Sequence, residues 1–99
     1  MDVGPVLHVD DVIGSKVVAM ATRAEPRDYI DVAAVLGCYS PQQLMRLARQ
    51  ADPTLTDEDF ADALRRLDRL DDAVFVELYG RTLEQIDEMR GRFVDWPRI

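Results

Sequence analysis

The stretch from Lys16 to Asp31 constrains this chain most, because it sets charge where a helical core stripe would run. At helical spacing, Lys16 has Val12 and Ile13 one turn behind it and Ala19 and Met20 one turn ahead. All four are apolar, so the ammonium head sits on or beside the packing stripe. Arg23 lies about two turns further on, near the same face. A turn at Glu25-Pro26 interrupts the pattern, and Pro26 suits the first turn of a second helix. In that helix Asp28 and Asp31 are three residues apart and share a face. A helical hairpin therefore brings Lys16, Arg23 and both aspartates together. Two readings fit the convergence. Lys16 lays its stem on the core and sends its head to water, while the aspartates favour the positive end of the helix dipole and pair with Arg23 and Arg27. Alternatively, the cluster is a functional site.

The rest of the chain limits what such a cluster can serve. Ninety-nine residues with 47% apolar content suffice for one core, so residues 1–99 are expected to form a single domain. A net charge of −7 argues against non-specific nucleic-acid or anionic-membrane binding, which needs a basic footprint. The single cysteine, Cys38, rules out an internal disulfide framework and suits a reducing, cytoplasmic setting. No signal peptide is visible, and no apolar run approaches membrane-spanning length.

In chain order, Val6 to Val9 reads as a short strand-like lead-in without a partner, fit to join a sheet upstream or in a second copy of the chain. Asp10 or Asp11 is a good N-cap for a first helix running to about Ala24, with Val12, Ile13, Val17, Met20, Ala21 and Ala24 as its apolar positions. Gly14 and Ser15 weaken it. The second helix spans about Pro26 to Leu36, is apolar nearly all round and is expected to be central, with Gly37 as its C-cap. Ser40-Pro41-Gln42-Gln43 is a capping box for a third helix that buries Leu44, Leu47 and Ala48. Thr56-Asp57-Glu58-Asp59 starts a fourth, with Phe60, Ala63, Leu64, Leu67 and Leu70 as its stripe. Ala73 to Tyr79 is apolar and β-branched and reads as a short helix, an extended segment or irregular structure. Thr82-Leu83-Glu84-Gln85 caps a last helix carrying Leu83, Ile86, Met89 and Phe93. The expected fold is all-α, an irregular bundle of about five helices with a short strand-like lead-in.

Other chemistry is weakly supported. His8 stands alone on an apolar lead-in, and Cys38 has neither a local histidine nor a Cys-x-x-Cys partner. Asp57, Glu58, Asp59 and Asp62 lack the spacing and glycine of a calcium loop and read as a solvated helix start. Arg65, Arg66 and Arg69 read as a salt-laced outer surface, and Met45 and Met89 as core fillers.

Lys16, Ala19, Arg23, Arg27-Asp28 and Asp31, set between Asp11-Val12-Ile13 and a following apolar run, resemble the second half of the AbiEii/AbiGii-type nucleotidyltransferase toxins. These belong to abortive-infection, type IV toxin–antitoxin systems. The specific likeness covers about residues 6 to 38, and the remainder is similar only as a helical tail. By position, the resemblance implies that Lys16 contacts the phosphates of a bound nucleotide, with Arg23 and Arg27 in support. It implies Asp31 as an active-site carboxylate, with Asp28 beside it as a second candidate. Phosphoryl-type transfer is mostly positioning and charge neutralisation, for which a lysine point charge and a nearby carboxylate are suitable groups.

The sequence departs from the family pattern in one respect. The family's first half carries a Gly-Ser motif and an Asp-x-Asp or Asp-x-Glu pair that holds magnesium. Here Gly14-Ser15 precedes Lys16 inside a helix, and Asp57-Glu58-Asp59 opens one. The expectation is therefore a truncated, C-terminal portion of such an enzyme, inactive alone, holding no metal or cofactor itself. Magnesium and a nucleoside triphosphate are implied for the complete enzyme. The implied partners are a missing N-terminal half or a cognate antitoxin. The alternative is a stand-alone helical interaction module, homodimeric through Val6 to Val9. Lys16 discriminates: an open concavity with Asp31 favours the first reading, and burial of the two against each other favours the second.

Overall fold

A computed structural model describes residues 9–96 and contains six helices and no strand among them. The first, α1 (Val9–Thr22), buries Ile13, Val17 and Met20 at i, i+4 and i+7. It must stop before Glu25, because Pro26 drives the preceding residue out of the helical region, and Glu25 is extended at φ −81° and ψ 155°. The amides of Arg23 and Ala24 both donate to the Ala19 carbonyl, and Ala24 turns into the left-handed region at φ 53°. This compact exit sends α2 (Pro26–Ala33) back alongside α1.

The four remaining helices start on reciprocal or one-sided polar caps. Ser40 and Gln43 exchange bonds of 3.1 and 2.8 Å at the start of α3 (Pro41–Ala51). Thr56 and Asp59 do so at α4 (Asp57–Arg69), and Thr82 and Gln85 at α6 (Leu83–Arg92). Each box satisfies two amides that a helix start otherwise leaves free. Between them, Asp71 caps α5 (Asp72–Tyr79) at the Ala73 amide, 3.0 Å away. The segment that the sequence left between helix and irregular structure is thus helical, which raises the expected five helices to six.

α1 packs on α3 and against α2 and α4, while α6 packs on α2 and α5. Gly14 sets the closeness of the first crossing. A Cβ built there would lie 2.8 Å from the Leu47 carbonyl oxygen. The residue expected to weaken α1 is thus the one that lets α3 approach. The far side of the core is aromatic: Tyr29 meets Phe93 edge-on at 6.1 Å, and Trp96 lies 6.0 Å from Phe93 and 6.3 Å from Phe60. The Tyr29 hydroxyl donates to the Ala63 carbonyl at 2.6 Å, tying α2 to α4.

Several expectations are corrected. Val9 opens α1 rather than closing a strand, and Val6, Leu7 and His8 lie outside the described residues. The second helix ends at Ala33, not Leu36. Its last turn tightens through bonds from Val35 to Val32 and Leu36 to Ala33, and Arg92 fills the Ala33 carbonyl at 3.0 Å. Gly37 consequently lies in the following turn and is not the cap, which is Ala34. The same helix is central but not buried all round. Tyr29, Val32 and Ala33 are buried, whereas Ala34 is exposed and Asp31 half-buried. Val12, expected in the core, is 39% exposed.

Candidate functional site

The open flank of α2 faces α1 across a groove of about 550 Å³. All five residues that the sequence singled out line it. α1 contributes Lys16 and the small Ala19, the turn that follows it contributes Arg23, and α2 contributes Arg27, Asp28 and Asp31. Their convergence follows from the turn at Glu25-Pro26, which folds two faces of matching period against each other.

The groove has two tiers. In the inner tier, the Asp28 side chain is 3% exposed. It accepts a hydrogen bond from Arg23 Nε at 3.1 Å, a second from Nη2 of the same guanidinium, and one from the Glu25 amide at 2.9 Å. Burial by itself would raise the Asp28 carboxyl. The Arg23 hydrogen bond, the Glu25 amide and the charges of Arg23 and Arg27 outweigh it and hold the group below the usual carboxylate value. The Arg23 guanidinium is correspondingly raised, chiefly by its hydrogen bond to Asp28. Asp28 therefore stays ionised and is fully engaged in closing the turn.

The outer tier is open. Lys16 Nζ lies 3.6 Å from Asp31, with side-chain exposures of 44% and 33%. Arg27 Nε approaches the same Asp31 oxygen at 3.9 Å across one helical turn. Both distances are long for hydrogen bonds, so these pairs are solvated and exchangeable rather than locked. Of the two outcomes that Lys16 was expected to discriminate, the open concavity is the one observed.

The groove contains more carboxylates than the sequence reading identified, because Asp11 and Glu25 also line it. Glu25 pairs with Arg23 at 3.5 Å. Three basic side chains thus meet four carboxylates. The signal for Asp11 was present in the spacing, since Asp11, Val12, Ser15, Lys16, Ala19 and Arg23 form one continuous helical stripe.

Magnesium fits poorly. Among the described residues no group of three or more His, Cys, Asp or Glu side chains comes together to hold a metal ion. Asp28 is bound by a guanidinium, and Asp31 faces two cations. No chemical step is therefore routed through a metal ion held by the described residues.

The features set aside in the sequence are structural or isolated. Asp59 is spent on the α4 cap, Asp57 pairs with Arg49, and Arg65 pairs with Glu58 and Asp62. Cys38 is exposed and forms no disulfide. No helix of the described residues is long and apolar enough to cross a membrane.

A family model described as the nucleotidyl transferase AbiEii toxin, Type IV TA system, matches residues 4–95. The match takes in the helical tail as well as the groove. No curated protein and no solved structure matches the chain.

Proposed function

The chain belongs to the nucleotidyl transferase AbiEii toxin family of type IV toxin–antitoxin systems, and from that membership we propose that the α1–α2 groove is the phosphate-contacting side of a nucleotidyltransferase site. Lys16 is the point charge for the phosphates of a nucleoside triphosphate, and Arg27 adds a second cation at the rim. Asp31 holds Lys16 ready in the free protein and becomes the active-site carboxylate once phosphate takes its place. Arg23 and Asp28 position the turn between the two helices. The carrying observation is the contrast between tiers: Lys16 and Asp31 stand 3.6 Å apart in the open, while Asp28 is buried in its guanidinium fork.

In this reading the metal-holding carboxylates come from outside the described residues, and the chain does not catalyse transfer alone. The family also implies a cognate antitoxin. A second reading, a helical interaction module without catalysis, is favoured by the exposed Val76, Leu78, Tyr79 and Leu83 around the α5–α6 turn.

Calorimetric titration with the four common nucleoside triphosphates, with and without magnesium, separates the two. The nucleotide reading expects binding of at least one triphosphate, weakened about tenfold or more in Lys16→Met, the effect of losing one charge-assisted contact. The fold should barely notice, because a half-exposed ion pair contributes only about 0–1 kcal/mol. Silence from the unaltered chain up to about millimolar triphosphate, or equal affinity in Lys16→Met, sinks the nucleotide reading.

A further inference from the structure

A second cavity lies on another face of α2, between that helix and α6, and the nucleotide reading makes no use of it. Its volume is about 390 Å³, within the range of small-molecule sites. Ile30 and Ala33 from α2 and Ile86 and Met89 from α6 give it apolar walls, and Arg81 and Glu88 add charge.

Arg81 is the informative side chain. Its Nε is buried without a hydrogen-bond partner. A guanidinium does not shed its protons, so this side chain holds a permanent positive charge at the cavity wall. The backbone around it is fixed on both sides. Gly80 ends α5 in the left-handed region at φ 61°, the Arg81 amide donates to the Phe75 carbonyl at 3.2 Å, and Thr82 caps α6. Arg92, the other guanidinium of the cavity, is already engaged by the Ala33 carbonyl at 3.0 Å and by Glu88 at 3.2 Å. Two cations face one carboxylate, which leaves one positive charge in excess.

We propose that this cavity binds a small organic monocarboxylate, with its carboxylate on Arg81 and its apolar body against Ile30, Ala33, Ile86 and Met89. A single negative charge matches the excess. A phosphate dianion overshoots it beside Glu88, and a neutral apolar molecule leaves the excess charge unmatched.

The test is a titration of the isotope-labelled 99-residue chain with hexanoate, hexanamide and inorganic phosphate, followed by the backbone amide resonances of Arg81, Gln85 and Met89. Hexanoate is expected to saturate at millimolar concentration, while hexanamide and phosphate do not saturate in that range. Arg81→Met should weaken hexanoate about tenfold or more, the equilibrium factor for a charge-assisted hydrogen bond. Glu88→Gln, which removes the competing carboxylate, should tighten it several-fold and carries the test if circular dichroism finds Arg81→Met unfolded. The proposal is overturned by saturation with hexanamide or phosphate at or below the hexanoate range, by unchanged affinity in a folded Arg81→Met, or by no tightening in Glu88→Gln.

Discussion

Asp28→Asn is the perturbation that most directly tests the division of the groove into a structural and an open tier. The substitution is nearly isosteric, so packing changes little. What changes is that one carboxylate oxygen becomes an NH₂ group, which must face either the Arg23 guanidinium or the Glu25 amide, both donors. One hydrogen bond to a charged group is lost outright and a donor is turned against a donor at a side chain only 3% exposed. Losses of this kind run to about 1.5–3 kcal/mol, and loss of a helix N-terminal cap alone costs about 1 kcal/mol. Arg23 is largely solvated, which discounts its share. The expected cost is about 2 kcal/mol, equivalent to about 10 °C in Tm for a domain of this size. The assay is thermal and urea unfolding followed by helical circular dichroism, from pH 7 down to pH 3. Linkage fixes the sign. The folded Asp28 carboxyl titrates below its ordinary value, so its stabilisation is fully present above the unfolded value of about 3.9 and is lost as pH falls through the lower folded value. The gap between Asp28→Asn and the unaltered chain should therefore hold from pH 7 to about pH 5 and close in stronger acid. A Tm within about 2 °C of the unaltered chain at pH 7, or a gap that widens on acidification, would refute the structural assignment.

Two further substitutions test the packing that holds the groove in place. Gly14→Ala gains about 1 kcal/mol of helix propensity but sets a Cβ 2.8 Å from the Leu47 carbonyl oxygen, a backbone atom that moves only with α3. The net expectation is a loss of about 1 kcal/mol in urea unfolding, whereas an exposed glycine would give a gain. Tyr29→Phe removes the 2.6 Å bond to the Ala63 carbonyl and should cost about 1 kcal/mol. Burial, the largest influence on this phenol, pushes it up to about 12. Tyr29→Phe should accordingly delete the highest-pH component of the ultraviolet phenolate titration, and loss of a component near pH 10 instead would contradict its burial.

Much of this arrangement was legible because it depends on local chemistry. Ser40-Gln43, Thr56-Asp59 and Thr82-Gln85 are short-range devices whose partners lie three residues apart, and all of them form. The convergence of Lys16, Arg23, Arg27, Asp28 and Asp31 was legible for the same reason, since one proline-defined turn and two helical periods determine it. The misreadings concern long-range partners. Arg92 fills the Ala33 carbonyl from far along the chain and lets α2 end early. The role of Gly14 depends on the Leu47 backbone of α3. Val12 belongs to an apolar stripe by period, yet is left at a groove wall because α2 presents aspartates rather than apolar groups opposite it.

The charge balance of the groove bears on how a nucleotide site can use it. Three cations against four carboxylates give no net attraction for a triphosphate, and the chain as a whole carries −7. An anion gains here only by displacing Asp31 from Lys16, and this exchange is cheap because the pair is half-exposed and 3.6 Å apart. The Asp28–Arg23 fork cannot be exchanged in the same way, since removing one partner leaves a buried charge unpaired. The groove is thus built so that Lys16 and Arg27 are releasable and Arg23 is not. A triphosphate carries more charge than Lys16 and Arg27 together neutralise, so tight binding requires cations supplied from outside the groove. In the proposed site that is the contribution of the metal-holding half, and a groove that is weak alone is what such a division of labour demands.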